Sequence, residues 1–216
     1  MKCIDVKRSL FRVLLPCVEF SGICTSYLIS GSFLKRILIF RNYFYTAWCK
    51  RQFYKCGTNL YISYPIFLCN SSCISIGNNF KSEKGLRLEV ITSKHTKKEI
   101  IKIGNNVYIN WNCHIGGYKK IIIEDNVLIG SNVLITDHFH GEISLKMLAI
   151  SPMNRPIYSK GGVVIRQNVW IGENVTILPG VTIGKNSIIG ANSVVTKSIP
   201  ENCIVAGNPA KIIRQL

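Results

Sequence analysis

Groups that titrate near neutral pH are scarce in this 216-residue chain: His95, His114, His138 and His140. An imidazole can take a proton from an attacking hydroxyl and return it to a leaving group, because its ordinary pKa lies near ~6.5. His138 and His140 open the segment TDHFHGEISLKMLAISPMNRPIYSKGG, which shares no pattern with its surroundings. A long irregular segment inside a compact domain usually carries function. Spacing alone leaves two readings of His138, a general base or a loop histidine engaged only in local hydrogen bonds. The nine cysteines (Cys3, Cys17, Cys24, Cys49, Cys56, Cys69, Cys73, Cys113 and Cys203) form no CxxC pair. An odd count at irregular spacing fits neither a disulfide framework nor a thiolate zinc site. Reduced thiols packed as small apolar residues, in a cytoplasmic protein, are expected, and no metal site.

The elements that must position these groups are written as a repeat. Ile165, Ile171, Ile177, Ile183, Ile189 and Val195 recur at an unbroken step of six. Two positions before them stand Val163, Val169, Val175, Val181, Ser187 and Ser193. The same frame holds at Ile103, Ile109, Ile115 and at Ile123, Ile129, Ile135. Residues i and i−2 of an extended strand share a face, so each hexad sends two side chains inward. A glycine follows many of the inward aliphatics, with asparagine close behind at Asn105, Asn132, Asn174, Asn186 and Asn192. Both residue types tolerate the left-handed backbone of a sharp corner. A short strand and a corner every six residues build a three-sided prism of about 18 residues per coil, its coils stacked about 4.8 Å apart. The frame slips by two residues at GGYKK and disappears across the histidine segment.

Lys and Arg number 27 against 11 Asp and Glu, a formal net charge of +16. Residues 1–60 hold ten of those cations and only Asp5 and Glu19 as acids. Partners among anionic lipids, phosphorylated cofactors and nucleic acids all fit such a charge. The chain has no nucleic-acid recognition signature, so no nucleic acid is expected. Residues 33–53 alternate basic and apolar-aromatic positions at helical spacing, which suits either a cap on the first coil or a membrane surface. No uncharged apolar run reaches membrane-spanning length. The expected organisation is a helical, basic-aromatic cap over residues 1–58 and a β-helix over 59–205 with a long loop at 136–162. A turn and short helix over 206–216 complete it.

The segment IRQNVWIGENVTILPGVTIGKNSIIGANSVVTKSIPENCIVAGNPAKIIR resembles the hexapeptide-repeat acyltransferases of the maltose, galactoside and xenobiotic O-acetyltransferase group. Within that group it looks most like enzymes that acetylate surface polysaccharides. The resemblance covers roughly residues 58–216 and implies an all-β, left-handed parallel β-helix assembled as a homotrimer. It implies acetyl-CoA as donor and, as acceptor, a sugar hydroxyl of a capsule, O-antigen or exopolysaccharide precursor. Thr136-Asp137-His138 matches the family's Thr-x-His, making His138 the catalytic base with His140 as its rival. The segment INWNC matches the ANFN-like stretch whose first asparagine, here Asn110, contacts the acceptor. Trp170 matches a tryptophan near the acyl-CoA channel. Ala191, Thr196, Lys197, Lys211 and Arg214 match CoA contacts. Lys211 stands where other members often have arginine, and Glu173 where several have a small residue. Two alternatives remain: a non-catalytic basic solenoid, and a zinc hydratase on a related helix. The second would draw on the four histidines, which lack the His-x4-His pair such sites use.

Overall fold

The computed structural model describes residues 2–92, 98–142 and 144–216, with side chains from Leu14 onward except Leu28. The chain divides into two compact units, Met1–Arg41 and Asn42–Leu216. Helix α1 (Lys2–Leu28) and the start of helix α2 (Gly31–Lys50) form the first. Among the described residues no single helix is long and apolar enough to cross a membrane.

The strands of the second unit build a prism of three sheets, parallel except for the last strand of the second. The first sheet runs from Lys55–Cys56 through Ile101–Ile103, Ile121–Ile123 and Val163–Ile165 to Thr182–Ile183. The second includes Tyr108–Ile109, Leu128–Ile129, Trp170–Ile171 and Ile188–Ile189. The third includes Arg87–Val90, His114–Gly117, Leu134–Thr136, Thr176–Ile177 and Val194–Val195.

Register follows the hexads. Ile109, Ile129, Ile171 and Ile189 stack in line, as do Ile115, Ile135, Ile177 and Val195, all fully buried. Each contributes about 1.5–3 kcal/mol by leaving water. Of the inward serines, Ser187 Oγ donates to Pro200 O and Ser193 Oγ to Gly190 O, whereas Ser82, stacked between Ile62 and Ile109, keeps a buried hydroxyl with no hydrogen-bond partner among the described residues.

Corners divide the labour between asparagine and glycine. Every non-glycine residue with positive φ among those described is asparagine. At the corner between the first and second sheets the side-chain amides bond coil to coil, from Asn59 through Asn79, Asn106, Asn126, Asn168 and Asn186 to Asn202. At the first corner of the coil of residues 101–117 the left-handed residue is Asn106, not Asn105, which instead bonds Asp125. Repeat glycines such as Gly130 and Gly172 have ordinary φ. They are needed because a Cβ on Gly172 would lie 2.7 Å from Ala191 N of the next coil.

Two features depart from expectation. The ladder starts at Lys55, which pairs with Ser75, earlier than residue 59. The C-terminal segment is not a helix: Lys211–Gln215 is a strand antiparallel to Cys203–Ala206. Gly207, at φ +103, turns the chain back. The open edge of the last coil then offers backbone partners to a segment whose Ile212 and Ile213 favour extended structure.

Candidate active site

His138 lies where the chain leaves the third sheet, at the corner leading back to the first. Its ring rests on Gly116 of the preceding coil: a Cβ added there would lie 3.2 Å from His138 Cε1. The side chain is only 11% exposed. Nδ1 stands 3.1 Å from Thr136 Oγ1 and 3.4 Å from Asp137 Oδ1. The Thr136 hydroxyl donates to the His138 carbonyl, so its oxygen accepts from Nδ1. Both neighbours of Nδ1 are then acceptors. The network therefore assigns the proton to Nδ1 and leaves the Nε2 lone pair free, the arrangement a general base needs.

Asp137 is itself fully buried and anchored. Its carboxylate accepts backbone N–H bonds from Tyr118 at 2.7 Å, Lys119 at 2.7 Å and Lys120 at 2.8 Å. Those three residues close the GGYKK segment, where the frame slips by two. The irregularity thus presents three N–H groups to one carboxylate, and that carboxylate fixes the root of the long loop.

A second imidazole adjoins the same glycine. The added Cβ would lie 3.4 Å from His114 Nε2. That nitrogen is closed off from solvent and lies 3.3 Å from Glu89 Oε2 without the alignment of a hydrogen bond. Glu89 in turn pairs with Arg87. Burial, and then the Arg87 guanidinium, hold the His114 pKa below its ordinary value against the opposing pull of Glu89. His140 is separate. It sits exposed on the hairpin formed by Phe139–His140 and Ile157–Tyr158 and lines a loop cavity of about 540 Å³ with Glu142, Leu145 and Arg155.

The remaining sequence-predicted residues fall into two further groups. Asn110, Trp170 and Ala191 line one cavity of about 420 Å³ between the second sheet and its corner with the third. Gly130, Gly172 and Gly190 form part of its wall, and Glu173 also lines it. Asn110 donates to Ile129 O at 3.0 Å, which leaves the amide oxygen and one N–H to offer. Its neighbour Asn112 occupies the left-handed corner, at φ 55, whereas Asn110 does not, so turn geometry accounts for Asn112 alone. Thr196 and Lys197 are exposed at the corner His138 occupies, and Lys211 and Arg214 on the last strand of the second sheet. One chain therefore places His138 and Asn110 on different corners of its prism.

Sequence reasoning missed three contributors: Asp137 as an anchor, and Glu89 and His114 beside His138. The slip at GGYKK was the available signal for the first. The pairing of Arg87 with His114, and of Glu89 with Gly116, depends on coil register and had none. Among the described residues no three His, Cys, Asp or Glu side chains gather as a metal site requires, and His95 lies outside the described residues.

Comparison with known proteins agrees with this architecture. The family profile "Bacterial transferase hexapeptide (six repeats)" matches residues 162–197, and "Hexapeptide repeat of succinyl-transferase" matches 120–136. The putative lipopolysaccharide biosynthesis O-acetyl transferase WbbJ of Escherichia coli (strain K12) is 42% identical over 157 residues, 71% of this chain and 78% of that protein. The galactoside O-acetyltransferase of the same organism is 45% identical over 119 residues, 54% of each chain. Among solved structures, a galactoside acetyltransferase in complex with coenzyme A superposes with a TM-score of 0.54 at 32% identity, covering 79% of this chain and 68% of that one. A variant of AntD, an N-acyltransferase from Bacillus cereus, reaches a TM-score of 0.66 at 24% identity, covering 79% and 88%, which speaks to the fold alone.

Proposed function

The chain belongs to the hexapeptide-repeat acetyltransferases, built on the left-handed β-helix, and on that footing we propose that it moves acetyl from acetyl-CoA to a sugar hydroxyl. The acceptor class is a surface-polysaccharide precursor, His138 is the general base, and the working unit is a homotrimer. The observation that carries this reading is the tethered imidazole: Nδ1 held by Thr136 and buried Asp137, with Nε2 free. The likeness to the lipopolysaccharide enzyme supports the acceptor class.

The residues present suit a CoA thioester. Glycines keep side chains out of the cavity wall beside Trp170 and Ala191, where a narrow arm meets backbone. Lys197, Lys211 and Arg214 are exposed cations available to phosphates. Bound acetyl-CoA supplies an activated carbonyl and a thiolate leaving group. His138 Nε2 takes the proton of the acceptor hydroxyl as its oxygen attacks that carbonyl. The buried Asp137 carboxylate, held by three backbone N–H groups, stabilises the imidazolium so formed. Asn110 offers a neutral amide to the acceptor or to the carbonyl oxygen without a competing charge. His138 then returns its proton to the departing sulfur, leaving a neutral imidazole for the next cycle.

The placement of these groups supports the trimeric reading. His138 and the cavity of Asn110 and Trp170 occupy different corners of one prism, so a neighbour related by a threefold axis can bring one subunit's base to another's cavity. Trp111, Leu128 and Trp170 are exposed on outward positions that such a contact would cover. A ring of heterologous contacts closes this way. The test is mass spectrometry of candidate saccharide acceptors incubated with the protein and acetyl-CoA. A gain of one acetyl group on a sugar, with release of free CoA, supports the reading. Acetyl-CoA left intact across acceptors bearing free hydroxyls counts against it.

A further inference from the structure

Helix α2 is amphipathic in the opposite sense to a core helix. At about 100° per residue, Asn42, Thr46 and Cys49 share one face, and all three are buried. That face docks on the first coil largely through polar bonds. Thr46 Oγ1 accepts from Ile62 N at 2.9 Å, Asn42 Nδ2 donates to Tyr61 Oη at 2.9 Å, and Tyr64 N donates to Asn42 Oδ1 at 3.3 Å. Phe33, Ile37, Phe40, Phe44 and Trp48 recur at three- and four-residue spacing along the other side, within an arc of about 80°. They are 48–74% exposed. A helix that turns its amides and hydroxyls inward and leaves its aromatics out has a use for them outside. Arg36 and Arg41 flank the stripe on its two sides and are exposed. Residues 14–60 carry six Lys and Arg and a single acid, Glu19.

We propose that this stripe lies in the interfacial layer of an anionic lipid bilayer. The aromatics enter the acyl boundary while the flanking guanidiniums reach the phosphate level. Charge selects this occupant over a second copy of the stripe, since two such helices face to face would crowd like charges that anionic headgroups instead neutralise. The inference does not depend on the acetyl-transfer reading.

The experiment is co-sedimentation of the full chain with vesicles of phosphatidylcholine alone and of an equal mixture with phosphatidylglycerol. Light scattering and a melting curve accompany each variant. The chain is expected to sediment with the mixed vesicles, to lose that binding at high salt, and to bind the neutral ones weakly. Arg36→Gln with Arg41→Gln should weaken binding about thirtyfold. Phe40→Ser with Phe44→Ser should weaken it more than tenfold, with oligomeric mass and melting temperature as in the parent. The proposal is overturned if anionic vesicles do not bind the chain, or if binding survives both double substitutions. A change in oligomeric mass on replacing Phe40 and Phe44 would assign the stripe to a second copy instead.

Discussion

Gly116→Ala isolates the seat of His138 from the stability of the coil. Gly116 lies in an extended strand with an ordinary φ, so alanine meets no backbone strain. Removing glycine's freedom from the unfolded chain favours folding by about 0.4–1 kcal/mol where the native backbone suits alanine. The new methyl would stand 3.2 Å from His138 Cε1 and 3.4 Å from His114 Nε2. The first contact is a few tenths of an ångström too tight, so the His138 imidazole must shift to make room. A 1 Å misplacement of a reacting group costs about a hundredfold, so a shift of a few tenths should lower kcat about fourfold. The KM for acetyl-CoA should hardly change. Thermal melting and steady-state kinetics on one preparation read both effects. Gly172→Ala is the control: its Cβ would meet Ala191 N at 2.7 Å, a backbone atom that cannot yield, so it should lower the melting temperature. Full kcat in Gly116→Ala would refute the seating of His138 on this glycine during turnover.

Other outcomes follow from the same geometry. Mixing inactive His138→Ala subunits with inactive Trp170→Ala subunits should restore part of the activity; no recovery on mixing would argue that each site lies within one chain. Lys197→Ala or Arg214→Ala should raise the KM for acetyl-CoA severalfold and affect dephospho donors less, and equal losses with both donors would remove the 3′-phosphate contact. Because the His114 pKa is lowered in the folded protein, its neutral form is favoured there. Its effect on stability is absent above the unfolded value near ~6.5 and destabilises progressively as pH falls from there through the folded value. Urea titrations at neutral and mildly acidic pH should show that loss, reduced in His114→Gln; an identical loss in both proteins would assign it to other groups.

How much of this was legible in advance differs by element. Hexads such as Val175-Thr176-Ile177 announce strand, corner and inward face together, because one six-residue unit contains all three. The asparagine corners were readable at Asn132, Asn174, Asn186 and Asn192 but misplaced by one residue at Asn105, and the glycines' role was not readable: proximity to a neighbouring coil has no local signature. Lys211–Gln215 was misread because its pattern fits helix or strand, and the unpaired edge of Cys203–Ala206 decides between them. The polar docking face of α2 was hidden because Asn42 and Thr46 are buried only through partners at Tyr61, Ile62 and Tyr64. At the site, Thr136-Asp137-His138 singled out the loop by resemblance. The three N–H groups that hold Asp137 come from the preceding coil and become visible only after folding.

The central claim is that His138, through Nε2, is the base of acetyl transfer, and the direct measurement compares His138→Ala with His140→Ala. Both proteins should retain the parent's melting temperature, since neither ring belongs to the inward ladder. The rate of CoA release in the presence of an acceptor sugar should fall about 10²–10⁴-fold in His138→Ala. In His140→Ala it should stay within a fewfold of the parent. An inactive His140→Ala beside an active His138→Ala would contradict the account.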